Sequence, residues 1–121
     1  MAIPSGSGSE ILTRGYFTVT DTTDTKIIDG AAANWIYSVI SIICTEVAGG
    51  SGKTFDLFLD PSAGGTDYEI LSDQALPANS TFVFNERLVL HGTDELNFKA
   101  NAACEIDIII KCDDKRYFII S

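Results

Sequence analysis

The strongest constraint on this chain is a period of two. From Ile11 onward apolar and polar residues alternate in short runs. Nowhere do 10–12 consecutive residues show the i, i+3, i+4, i+7 spacing of an amphipathic helix. Alternation at that period places successive side chains on opposite faces of a strand, so each run can bury one face only by packing on another sheet. The pattern predicts strands over 11–20, Lys26–Asp29, Trp35–Val47, Lys53–Asp60, Asp67–Leu71, Thr81–Leu90 with a kink at Asn85 and Glu86, Glu95–Ala100, Cys104–Cys112 and Tyr117–Ile120. Asp21–Asp24 and Asp113–Arg116 read as turns, and Ala31–Asn34 as a loop or a single helical turn. The fold class is therefore all-β: a β-sandwich or jelly roll of about 8–10 short antiparallel strands. The alternation leaves the strand order open between an immunoglobulin-like sandwich and a jelly roll.

Individual segments sharpen this reading. Trp35–Val47 is apolar on both faces, which suits a central strand; its isoleucines, valines and two aromatics favour strand over buried helix. Lys53–Asp60 alternates Phe55, Leu57 and Leu59 against Thr54, Asp56 and Phe58, and reads as a hairpin partner of the preceding strand across the 48–52 connection. Phe58, Ile109 and parts of Trp35–Ile43 fall opposite the main core. Such residues are either covered by loops or form a subunit contact, and the contact is the expectation. Tyr117–Ile120 is a candidate edge for strand addition. Residues 1–9 form a flexible Gly/Ser arm, either slack or a tether that orders on a partner, and 10–121 a single β-sandwich domain.

With 121 residues, 45% of them apolar, the chain can fill a core without metal or disulfide staples. Its charge of −9, from 17 acidic and 8 basic residues, opposes direct nucleic-acid binding, which draws its affinity from Lys and Arg. No secretory leader is expected, and no apolar run is long enough to span a membrane. Three cysteines are an odd count. Cys104 and Cys112, on one predicted strand, stand about 27 Å apart at 3.3–3.4 Å per residue, too far to pair. Cys44, Cys104 and Cys112 are expected as buried reduced thiols.

The chemical motifs fail one by one. Gly52-Lys53-Thr54 ends like a phosphate-binding loop, but Val47 stands where that loop needs glycine, and a strand follows instead of a helix. His91 is the only histidine, and both Cys44 and Cys104 sit in apolar strands, so no nucleophile–base pair is indicated. Asp21, Asp24, Asp60, Asp67, Asp113 and Asp114 lie at predicted loops where calcium could be held, without any calcium-loop motif. No catalytic, cofactor-binding or metal-binding residue is assigned, and the chain is expected not to be an enzyme. Asn79-Ser80-Thr81 matches a glycosylation sequon, which lacks meaning without a secretory route.

Three segments carry a resemblance. They are the opening Met1–Glu10, Lys53–Ser62 (KTFDLFLDPS) and Leu76–Asn85 (LPANSTFVFN), continued by Leu88–Leu90, Asp94–Leu96 and 102–111. Together the chain resembles small all-β virion structural proteins of tailed bacteriophages, especially marine ones. The resemblance implies a non-enzymatic capsid decoration (cement) protein, or an accessory head, neck or tail component. It further implies a homo-oligomer that contacts other virion proteins, such as the major capsid protein or tail and neck proteins, and is made in the host cytoplasm. The rival expectation is a carbohydrate-binding β-sandwich module with Trp35, Tyr37 and Tyr68 as a stacking platform.

Overall fold

The computed structural model describes residues 10–29, 35–61 and 66–116. Nine strands follow one another: β1 (Glu10–Val19), β2 (Thr25–Asp29), β3 (Trp35–Glu46), β4 (Lys53–Asp60), β5 (Tyr68–Leu76), β6 (Thr81–Phe84), β7 (Leu88–His91), β8 (Glu95–Ala100) and β9 (Ile106–Arg116). Two antiparallel sheets contain them. One runs β1-β9-β3, with β6 and β7 lying end to end along the free side of β3; the other runs β2-β8-β4-β5.

The strand order decides between the two topologies that alternation left open. β1 pairs with β9, β2 with β8, β3 with β6 and β7, and β4 with β5. The chain is thus one long antiparallel hairpin with its tip at β4–β5. Rolling that hairpin brings β9 against β3 and β8 against β4. Only β4–β5 and β6–β7 are consecutive within a sheet; every other connection crosses between sheets. This is a jelly roll.

The inward faces meet in one apolar cluster. Val39, Ile42, Cys44, Ile106, Ile108 and Ile110 of the five-stranded sheet face Phe55, Leu57, Leu96, Phe98 and Ala100 of the four-stranded one. Phe55 stacks on Phe98 at 4.8 Å between ring centroids and meets the edge of Phe82 at 5.6 Å, so aromatic contacts tie β4 to both its own sheet and the opposite one.

Several expectations are corrected. β4 does not form a hairpin with β3: the 48–52 connection carries the chain across to the other sheet, where β4 pairs with β5 and β8. Gly49 and Gly50 hold left-handed φ of 77° and 73° there, and the Gly49 N–H donates to the buried Glu46 Oε1 at 2.8 Å. Asp113–Arg116 is not a turn but the end of β9, because β1 and β3 supply ladder partners on both sides through Lys115. Phe58 falls opposite the main core as expected, in register with Asn97 and Glu69, but it is buried within the chain instead of open to a subunit contact; the register shifts around Leu57 put their extra residues in β5 and leave the alternation of β4 intact. The Asp67 strand starts at Tyr68 and continues to Leu76 through Asp73, whose φ is 49°. Thr81–Leu90 is broken at 85–87 into β6 and β7, in keeping with the predicted kink. The Gly/Ser arm 1–9, Ala31–Asn34 and Tyr117–Ile120 lie outside the described residues. Among the described residues no helix is long and apolar enough to cross a membrane.

Candidate interaction surface

The solvent side of the five-stranded sheet is built by the residues that alternation turns away from the core. On β1 these are Leu12, Arg14, Tyr16 and Thr18, which stand opposite Asp113, Lys111, Ile109 and Asp107 of β9. The ladder continues onto β3 and the short strands beyond it. Ile109 pairs with Ile43, which pairs with Val83; Asp107 pairs with Thr45, which pairs with Thr81. One complete row across the sheet is therefore apolar: Tyr16, Ile109, Ile43, Val83. The next row is polar and internally bonded, the Thr18 hydroxyl donating to Asp107 Oδ1 at 3.0 Å and Thr45 and Thr81 sharing a hydrogen bond of 3.1 Å.

This face is exposed. Leu12 is 74% accessible, Tyr16 63%, Val89 66% and Val83 53%. A bulge in β3 widens it. The register shifts between Val39 and Ser41, so Val39 stays fully buried while Ile40 and Ser41 follow it opposite Lys111. Leu12, Thr13, Arg14, Tyr16, Ile40 and Lys111 line a hollow of about 650 Å³. The Arg14 guanidinium lies 5.0 Å from the Tyr16 ring centroid, a cation–π contact that keeps both side chains spread on the surface.

The opposite sheet presents different chemistry. Its outer rows set Lys26, Asn97, Phe58 and Glu69 in line, then Asp29, Glu95 and Asp60, with Asp56 facing Lys99. Lys26 Nζ is 3.0 Å from Glu95 Oε2. Glu69 is held above its ordinary protonation range by partial burial first, then by the neighbouring charges of Asp56, Asp67 and Asp73. Five carboxylates therefore share this face with two lysines.

The residues weighed for chemistry do not converge. Lys53 Nζ donates to the Ser51 carbonyl at 2.9 Å beside its own loop, and β4 follows directly. His91 ends β7 with Nδ1 3.5 Å from Asp94 Oδ2 in the following turn. Asp21 Oδ1 accepts from the Thr23 N–H at 2.9 Å, closing its own turn. Among the described residues, no group of three His, Cys, Asp or Glu side chains is placed to hold a metal ion. Cys44 is buried and its thiol is pushed up to about 12 by desolvation. Cys112 is raised as well, by burial first and then by its hydrogen bond to Asp114. Cys104 precedes β9 and is half-buried rather than buried; its thiol donates to the Val19 carbonyl at 3.3 Å. The proposed aromatic platform is not assembled: Tyr37 packs against the core from β3, Tyr68 is exposed on β5 of the other sheet, and the Trp35 side chain lies outside the described residues.

Sequence reasoning named Ile109 and part of β3 on this face but missed Leu12, Arg14, Tyr16, Val83 and Val89. The signal was present in β1, where Leu12, Arg14 and Tyr16 alternate with Thr13, Gly15 and Phe17. It takes the ladder to show that these positions join those of three other strands.

No protein-family model and no curated protein sequence matches the chain. Solved structures do resemble it. A chain from Bacillus endospore appendages, which form disulfide-linked pili, is 15% identical with a TM-score of 0.58, and the match covers 98% of both chains. The Drosophila NLP core, studied for pentamer formation and histone binding, is 14% identical with a TM-score of 0.54, over 90% of this chain and 100% of the other. The CBM22-1 xylan-binding domain of Paenibacillus barcinonensis Xyn10C is 9% identical with a TM-score of 0.51, over 93% and 85%. At these identities the likeness is one of fold: a two-sheet all-β sandwich that recurs in chains that assemble and in chains that bind.

Proposed function

We propose that this chain is a non-enzymatic structural protein of a virus particle, a decoration or accessory component of a bacteriophage virion, which works through protein–protein contacts. The observation that carries the reading is the apolar outer face of the β1-β9-β3-β6/β7 sheet. Four strands contribute to one continuous row, and Leu12, Tyr16, Val83 and Val89 are each more than half exposed. A chain with no use for that face has a physical reason to make it polar, because large exposed apolar patches promote association. The sequence resemblance to small virion proteins supports the phage assignment. The jelly-roll order supports a building-block role without specifying it.

The test is incorporation. Particles assembled in the presence of the tagged chain are purified on a density gradient and analysed by mass spectrometry. The tagged chain is expected in the particle band, and a Tyr16→Asp, Val83→Asp double variant with an unchanged far-UV spectrum is expected to be depleted from it. A wild-type chain absent from purified particles refutes the proposal.

A further inference from the structure

The exposed face has an internal symmetry that specifies a partner. On β9, Asp107 and Lys111 flank Ile109 at two residues on either side, which is about 6.7 Å along the strand in each direction. On β1, Thr18 and Arg14 flank Tyr16 in the same way. Rotation by 180° about an axis lying along the Tyr16–Ile109–Ile43–Val83 row maps that row onto itself. The same rotation carries the Asp107 row over the Lys111 row. Asp107 and Lys111 are both exposed, and among the described residues neither takes part in an ion pair.

We propose that this face is an isologous contact with a second copy of the chain: the Tyr16–Ile109–Ile43–Val83 row lies on the two-fold axis, and Asp107 of each copy faces Lys111 of the other. The inference deepens the reading above and rests on its claim that the face is a contact surface. Sheets packed face to face keep their strand directions within about 30° and stand about 10 Å apart. β9 of one copy then runs antiparallel over β9 of the other, at a separation that Asp and Lys side chains bridge. Four strand positions at about 4.8 Å and ten residues at about 3.4 Å give a face of about 650 Å². Two such faces remove about 1,300 Å² from water, at the lower end of specific stable interfaces.

Charge excludes the alternative self-contact. The outer face of the four-stranded sheet carries Asp29, Asp56, Asp60, Glu69 and Glu95 against Lys26 and Lys99, so two copies meeting there repel. The five-stranded face is nearer to balance, Arg14 and Lys111 against Asp107 and Asp113 with the exposed Glu105 at its end, although the whole chain carries −9. An isologous contact requires that each patch complement itself, and the five-stranded face comes nearer to that than the four-stranded one.

The full chain is followed by sedimentation velocity and light scattering over a concentration series, together with Asp107→Lys, Lys111→Asp and the double exchange. A dimer is expected for the wild type. Each single reversal places like charges opposite one another twice per dimer and is expected to weaken association about ten-fold or more. The double exchange restores the pairing and is expected to recover affinity to within about three-fold of wild type. Far-UV circular dichroism of each single variant checks that it folds. A wild type that stays monomeric, forms a trimer or larger ring, or dimerises with indifference to the single reversals overturns the inference. So does a double exchange that fails to recover. A monomer that still enters virus particles overturns only this inference; a dimer absent from particles overturns only the proposed function.

Discussion

Ile108 and Ile109 are chemically identical neighbours on β9, and the structure gives them opposite fates. Ile108 is 1% exposed within the core cluster, opposite Phe17 and Cys44; Ile109 points outward, opposite Tyr16 and Ile43. Truncating Ile108 to Ala removes its three carbons beyond Cβ, worth about 0.8 kcal/mol each, and leaves a cavity, for a total loss of about 2–5 kcal/mol. Truncating Ile109 in the dilute protein, below any association, costs about 1 kcal/mol or less, because it is already partly exposed on the outer face and leaves no closed cavity. At an unfolding entropy near 2.1 cal/mol/K per residue, about 0.25 kcal/mol/K for a chain this size, those losses lower Tm by about 8–20 °C and at most about 4 °C respectively. Calorimetry checked by urea titration reads both. Equal losses, or a larger loss for Ile109→Ala, refute the register, since a slip of one residue exchanges the two faces.

Two further predictions follow from local electrostatics. Glu69 is held protonated to higher pH in the folded chain than in the unfolded one, so between those two titrations the native state binds the extra proton and stability falls as pH rises. Glu69→Gln is therefore expected to be more stable than wild type at pH 7, with the advantage shrinking toward pH 4; denaturant titration at the two pH values checks the sign, and an advantage that grows on acidification refutes it. Burial keeps Cys44 and Cys112 protonated, so at pH 8 Ellman's reagent is expected to label neither in the native protein, with Cys104 slow and all three prompt after unfolding. Rapid native labelling of Cys44 or Cys112, located by mass spectrometry, contradicts their placement.

The sequence by itself determined what its local period could determine. The alternation of Ile106, Ile108 and Ile110 with Asp107, Ile109 and Lys111 makes a two-faced strand wherever it is placed, and the absence of a helical period leaves sheets as the only way to bury those faces. The break in Thr81–Leu90 was legible because Asn85 and Glu86 interrupt an apolar run. Pairing was not legible, because a ladder bond joins residues far apart in sequence and no local signal names its partner. The Gly-rich link after β3 reads the same whether it turns a hairpin or crosses to the other sheet, and only packing chose the crossing. Asp113–Arg116 looks like a turn in isolation; paired strands on both sides hold it extended through Lys115. The bulges at Ile40 of β3 and in β5 opposite Leu57 interrupt the period of those strands, which alternation alone cannot anticipate. The surface follows the same division. Each strand contributes one or two unremarkable outward residues, and it was the order β1-β9-β3-β6/β7 that set Tyr16, Ile109, Ile43 and Val83 side by side and placed Asp107 and Lys111 at equal distances from them.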